Sequence, residues 1–311
     1  MQSENLKLEK YPQVLLLGNG INRAYEKTAI SWGRLIKNVE GEKEFPDDLS
    51  LPMPLEVVLR TGDNIDKTLR KECAKLHGCV DSKEMEQILQ KILSMGFDHI
   101  LTTNYSYELE AAAFSCPEIS KYKITKCMQH TDEVTAAESR YLLHTYNYVK
   151  FQEHANRIWH IHGEARKPDS MILGHYYYGN LLYKYQEFLK KRGNCYYHNQ
   201  RHQKEQEIKS WIDAFILGDV YILGFGLDFS EMDLWWLLNR KKREKAETGK
   251  VYYFAPEEED FDVKTELLKV YDVQVEHMGY RQKEMKETGN LAYQRFYQDA
   301  IKEIERKMSQ T

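Results

Sequence analysis

The feature that most constrains the fold is a series of short apolar runs, each ending in small or polar residues. "QVLLLG", "FDHILTT", "RIWHIHG" and "DVYILGFG" read as buried strands, and "KVYYFA" and "VQVEHM" follow in the last third of the chain. Continuous Val/Leu/Ile runs without alternation are the mark of parallel strands covered on both faces. Between them lie stretches with apolar residues at helical spacing, such as "SKEMEQILQKILSMG", "EQEIKSWIDAFILG" and "FSEMDLWWLLNRKKREKAE". Strands alternating with helices predict an α/β fold, a doubly wound, Rossmann-like parallel sheet with helical insertions forming a smaller subdomain. We expect one domain over residues 11–311, with mainly helical insertions near 31–95 and 176–215. Residues 115–157 are polar and low in glycine, and offer "YLLHTYNYV" as an extra strand.

In such sheets ligands sit beyond the carboxyl ends of the strands, so the strand ends are where chemistry is sought. The first, "VLLLGNGINRAYE", passes through Gly18, Asn19 and Gly20 into polar helix formers. Glycines there allow positive φ and close ligand approach, and the following helix N-terminus suits a phosphate. Arg23 stands where a dinucleotide fingerprint carries its third glycine, and "SWGRLIKNVEGEKEFPDDLS" supplies no second strand ending in an acid. A hydride-transferring dehydrogenase therefore fits poorly.

The second end, "LTTNYS", presents Thr102, Thr103 and Asn104. A carboxamide donates and accepts at once, so Asn104 suits a ribose hydroxyl, an amide or an attacking water, or else it caps a loop or helix. Ser106 reads as a helix cap. The third end, "WHIHG", puts His160 and His162 on one face of a regular strand, where an imidazole is a natural general base. No third ligand has a spacing that fits a metal site with this pair. The fourth end, "LGFGLDFSEMD", repeats the glycine turn with Gly224 and Gly226 and adds Asp228 and Asp233. An acid there can grip ribose hydroxyls; the alternative is a plain turn capped by Asp228 or Ser230.

Composition removes several classes. A net charge of −4 gives no electrostatic basis for general nucleic-acid affinity, and "NRKKREK" reads as the solvated face of a helix whose Trp235 and Trp236 are core. No apolar run approaches membrane-spanning length and "MQSENLKLEK" is too polar for a signal peptide, so a cytoplasmic protein is expected. Cys73, Cys79, Cys116, Cys127 and Cys195 form no C-x-x-C pair, which leaves no zinc ribbon and no redox pair.

Taken together and in order, "GNGINRAYE…SWGRLI", "TTNY", "WHIHG" followed by "SMILGHYYYG", and "LGFGLDFSEMD" resemble the sirtuin-like domains of bacterial anti-phage NAD hydrolases, over most of residues 11–255. The resemblance implies that NAD is a substrate and is cleaved to nicotinamide and ADP-ribose, in an effector that depletes NAD during defence. It further implies that Gly18, Gly20 and Asn22 line the phosphate and ribose loop, that Asn104 and His162 are catalytic, and that Gly224 and Gly226 hold the adenosine half. Asn19, Thr103 and Asp228 complete the expected NAD-binding set. The four-cysteine zinc module of deacylating sirtuins is absent, so no zinc or other metal is expected, and their arginine-bearing loop is absent too. Ser106 stands where relatives carry aspartate. Control by homo-oligomerisation or by a separately encoded sensor or activator is implied, with no membrane and no direct nucleic-acid partner. The rival readings are an NAD-dependent protein deacylase and a nucleotide-binding assembly module with vestigial catalysis.

Overall fold

A computed structural model describes residues 11–25, 71, 80, 82–115, 125–128, 138–202, 204–258 and 262–310. In chain order the elements are β1 (Gln13–Leu17), α1 (Gly20–Tyr25), α2 (Lys83–Leu93), β2 (His99–Thr102), α3 (Glu108–Ala113), β3 (Thr125–Met128), α4 (Glu138–Tyr141), β4 (Thr145–Phe151) and β5 (His154–His160). After a 3-10 turn at Pro168–Ser170 come α5 (Gly174–Arg201), α6 (Trp211–Leu217), β6 (Asp219–Leu223), α7 (Met232–Lys242), β7 (Val251–Phe254), α8 (Val263–Val270), β8 (Val273–Glu276), α9 (Gln282–Thr288) and α10 (Asn290–Met308). The strands form one eight-stranded sheet in the order β3-β4-β5-β2-β1-β6-β7-β8. All pairings from β5 to β8 are parallel, and β4 and β3 extend the β5 edge in antiparallel fashion. All six predicted strands are present, and the extra strand in "YLLHTYNYV" is β4.

Both faces of the sheet are covered, which is why its central strands carry no polar alternation. One layer packs α5, α6, α7 and α8 against Val14, Leu16, Leu101, Trp159 and Ile222. The other packs α1, α2, α3 and α10 against Leu15, Leu17, Ile100, Ile158 and Leu223. Along α5 the buried residues Tyr178, Leu181, Tyr185, Phe188 and Leu189 recur at helical spacing and form the stripe that faces the core. Trp235 is core, as expected, but the basic run is not all solvated: Lys241 is buried and its ammonium donates to the carbonyls of Phe215, Ile216 and Gly218. Those carbonyls close the C-terminal end of α6, where a cation complements the helix dipole. The helix expected across "EQEIKSWIDAFILG" starts only at Trp211. Ser210 is extended, and it forms a capping box with Asp213 whose carboxylate also takes the Lys209 and Ser210 N–H groups.

The strand order places β1 between β2 and β6. From β1 the chain lays β2 beside it, runs to the far edge at β3 and returns through β4 to β5, and then crosses to the other side of β1 for β6. A crevice for ligands opens at such a reversal.

No helix among the described residues is long and apolar enough to cross a membrane. Of the insertion expected near 31–95, only residues 71, 80 and 82–95 are described, the last group carrying α2; Cys73, Cys79 and Cys116 lie outside the described residues.

Candidate functional site

The four strand ends join in a circuit. Gly18 N–H donates to the Leu223 carbonyl at 3.0 Å and Gly20 N–H to the Gly224 carbonyl at 2.6 Å, so the first and fourth ends are stitched together. The second and third meet through Ile161 N–H to the Thr102 carbonyl at 2.9 Å and His160 Nδ1 to the Asn104 carbonyl at 2.8 Å. The third and fourth meet where His162 Nε2 donates to Asp233 Oδ2 at 2.9 Å. A small cleft between the first and second is lined by Asn22, Thr102, Asn104, Ser106, Glu108 and Glu110.

The glycines at this junction answer a packing constraint that the sequence does not show. Neither Gly18 nor Gly20 has positive φ; the left-handed conformation falls on Gly224, with φ of 66°. A Cβ on Gly18 would lie 2.5 Å from the Gly224 carbonyl oxygen, and one on Gly20 would lie 2.4 Å from the Tyr297 hydroxyl. Close approach of backbone to backbone, and not a positive φ, is what excludes a side chain from the first turn. Gly226 is exposed, and a Cβ there would meet open space.

The two histidines of "WHIHG" do not share a face. β5 ends at His160, which meets Glu110 of α3 and the Asn104 carbonyl; the chain then turns, and His162 meets residues of α5 and α7 in the opposite layer. His160 Nδ1 faces a carbonyl oxygen and Nε2 faces Glu110 Oε1 at 3.0 Å. Both partners only accept, so both ring nitrogens carry protons and the ring is a buried imidazolium. Burial alone would lower its pKa; the Glu110 carboxylate overrides this, and the pKa is raised to about 9. Glu110 Oε1 also accepts from Asn147, so the ion pair is anchored to β4.

His162 is buried too, but only Nε2 is hydrogen-bonded. Nδ1 lies 4.0 Å from Glu231 Oε2, beyond hydrogen-bond range. Burial works against charging this ring, and the Asp233 and Glu231 carboxylates raise its pKa above the ordinary value. Tyr178 stands edge-on to the ring and donates its hydroxyl to Glu231, and Tyr185 donates to the same Asp233 oxygen as His162. Of the two imidazoles, His162 is the one with a nitrogen able to accept a proton.

Elsewhere the expected site residues divide. Asn22, Asn104 and Ser106 share the cleft, and the Asn104 carboxamide has no hydrogen-bond partner among the described residues. Its amide N–H is held by Thr102 Oγ1 at 3.1 Å. Asn19 and Thr103 are half-buried in the first and second loops, and neither lines the cleft; nor does His162. Ser106 does not cap α3, whose cap position is Tyr107 with no side-chain bond; its hydroxyl instead meets the Glu108 carboxyl, which burial pushes above its ordinary pKa. Asp228 is exposed and binds the Ser230 N–H at 2.8 Å, making a local turn; α7 is capped by Glu231 without a side-chain bond, so neither Asp228 nor Ser230 is its cap. Among the described residues the His160/His162 pair shares no set of metal-ligating atoms, but His162 meets two carboxylates that its sequence neighbours do not reveal. Ligand atoms of His162, Glu231 and Asp233 lie within 4.8 Å of one another, a set with the right atoms for a divalent cation. Three hydrogen bonds, from His162, Tyr178 and Tyr185, already engage the two carboxylates.

The family model of the SIR2-like domain matches residues 98–276. The chain belongs to the SIR2-like domain family. A comparison with curated proteins gives no match. The matched part of this SIR2-like domain starts just before β2 and ends with β8, and the glycine turn after β1 is tied to it through Leu223 and Gly224. What sequence reasoning missed in the SIR2-like domain is its carboxylates. The sequence shows Asp233 only as an acid after a glycine turn, gives Glu231 no distinguishing pattern, and hides Glu110 in "YELEAAA". A carboxylate inside a short run of alanines is a usable signal, because the face that carries it is buried and a buried charge needs a partner.

Proposed function

We propose that this SIR2-like domain hydrolyses NAD at the bond between nicotinamide and ribose. The observation that carries the reading is His162: a buried imidazole at the third strand end, held at one nitrogen by a carboxylate and open at the other. Cleavage of this bond builds positive charge on the ribose, and nicotinamide leaves as a neutral pyridine with the bonding electrons. Water then forms the new bond to the ribose carbon, and the proton it sheds goes to His162 and on to solvent. The products are nicotinamide, ADP-ribose and one proton. An imidazole with one ring nitrogen unbonded, whose neighbouring carboxylates favour uptake of a proton, is suited to that transfer.

Asn104 belongs to the same reading. Its carboxamide lines the cleft without a described partner, while its backbone is held on both sides by Thr102 and His160. A rigid backbone carrying an uncommitted amide is the arrangement that orients water or ribose hydroxyls at little entropic cost. The glycine turns at Gly18–Asn22 and Gly224–Asp228 are assigned to NAD. The motif set supports a role as an NAD-depleting effector in anti-phage defence, controlled by self-association or by a separately encoded activator. The test is to incubate the protein with NAD, alone and at concentrations that favour oligomers, and to resolve the products. Release of nicotinamide with ADP-ribose supports the reading; nicotinamide release only when an acyl-lysine peptide is present would replace it with deacylation.

A further inference from the structure

We propose that Asp233 is a positioning residue for His162, fixing the ring in the tautomer whose Nδ1 is the proton acceptor; this rests on the hydrolase reading above. The geometry is specific. Asp233 is fully buried, and its Oδ2 receives two hydrogen bonds, from His162 Nε2 at 2.9 Å and from the Tyr185 hydroxyl at 3.1 Å. A carboxylate accepts and never donates while ionised, so the proton on the ring is placed at Nε2 and the lone pair at Nδ1. Asp233 stands in the first turn of α7, at the end of the helix where a negative charge complements the dipole. Tyr185 sits in the buried stripe of α5, so two helices hold the carboxylate from different directions.

Among the described residues, the other charged and titratable groups facing the ring are Glu231, 4.0 Å from Nδ1, and Tyr178, which stands edge-on to the ring and is bonded to Glu231. Glu231 lies on the side of the acceptor nitrogen and is partly exposed, whereas Asp233 is sealed from water. Uptake of a proton at Nδ1 turns the ring into a cation between two carboxylates, one of them already bonded to it. Asp233 therefore acts in two ways, by holding the ring's orientation and by stabilising the imidazolium once it forms.

The test compares the full-length wild type with Asp233→Asn and Tyr185→Phe. Long-range proton–nitrogen NMR of the histidine rings should show His162 in the Nε2–H form in the wild type. In Asp233→Asn that fixed form should be lost and the ring should titrate at lower pH. NAD cleavage should fall about a hundredfold in kcat with KM within about threefold, and the acid limb of the pH profile should move down with the ring's titration. Tyr185→Phe removes one donor and leaves the carboxylate, so a threefold to tenfold fall in kcat is expected. Should Asp233→Asn fail to fold, Tyr185→Phe decides alone, and wild-type kcat and titration in that variant overturn the proposal. It is also overturned by an unchanged titration of His162 in Asp233→Asn, or by a stoichiometric divalent cation that the wild type holds and Asp233→Asn loses. The NMR readout needs no turnover, so a chain that fails to cleave NAD sinks the hydrolase reading while leaving the positioning of His162 separately measurable.

Discussion

His160 and His162 are two residues apart, equally buried, and each is bonded to a carboxylate, yet their chemistry is opposite. His160 donates a hydrogen bond to a carbonyl from one nitrogen and to Glu110 from the other, so it is a fixed cation that ties the Asn104 backbone to α3. His162 donates one hydrogen bond to Asp233 and keeps its second nitrogen open. Proximity to an acid therefore does not make a base. What matters is whether a lone pair remains after the partners are counted.

The largest expected effect is at the open ring. His162→Ala should lower NAD cleavage about a thousandfold or more, the upper part of what one general base contributes, while calorimetric NAD affinity stays close to the wild type. Equal turnover in the variant would falsify the assignment of the base. Next comes the closed ring. His160→Leu strands Glu110 without its cation, and breaking a buried pair on one side costs about 3 kcal/mol or more, read as a lower denaturation midpoint. Adding Glu110→Leu should restore part of that loss, because the orphaned charge is gone. If His160→Leu instead keeps its stability and loses catalysis, the two imidazoles have been assigned the wrong way round.

Asn104→Ala sharpens the comparison from the side of the loop that His160 holds. Turnover should fall about a hundredfold, ~2.7 kcal/mol at 1.36 kcal/mol per factor of ten, with melting temperature nearly unchanged. A lowered melting temperature with wild-type turnover would make this asparagine structural. The cation itself can be titrated. His160 holds its proton more tightly in the folded chain than in the unfolded one, so its bond to Glu110 is fully in effect below about pH 6.5 and is lost as the pH rises through about 9. Melting temperature should therefore decline across that interval in the wild type, and the His160→Leu, Glu110→Leu double variant should lose that component. The smallest effect is expected at Ser106, which caps nothing. Ser106→Ala should change stability by less than about 0.5 kcal/mol, and a larger loss would show that its contact with Glu108 matters more than its geometry suggests.

Much of this molecule was legible because it is local. Apolar runs such as "VLLL" and "VYILG" specify buried parallel strands by themselves, and the turn after each is written in the next few residues. The cap of α6 was also readable, since Ser210 and Asp213 stand three residues apart, yet the apolar periodicity running on from "EQEIK" masked it. The glycine turn was found in the right place for an incomplete reason: the residues that exclude a Cβ from Gly18 and Gly20 are Gly224, Phe225 and Tyr297, and no local rule names them.

Periodicity, turn chemistry and motif are properties of neighbouring residues, so seven of the eight strands, the four strand ends and the residue types gathered there could be read locally, whereas the edge strand β3 could not. Which imidazole is free depends on distant partners. Glu110 lies 50 positions from His160 and Asp233 lies 71 positions from His162. A ring nitrogen's proton is set by whatever acceptor the fold brings within 3 Å or so, and a turn after His160 sends the two side chains into opposite layers to meet different ones.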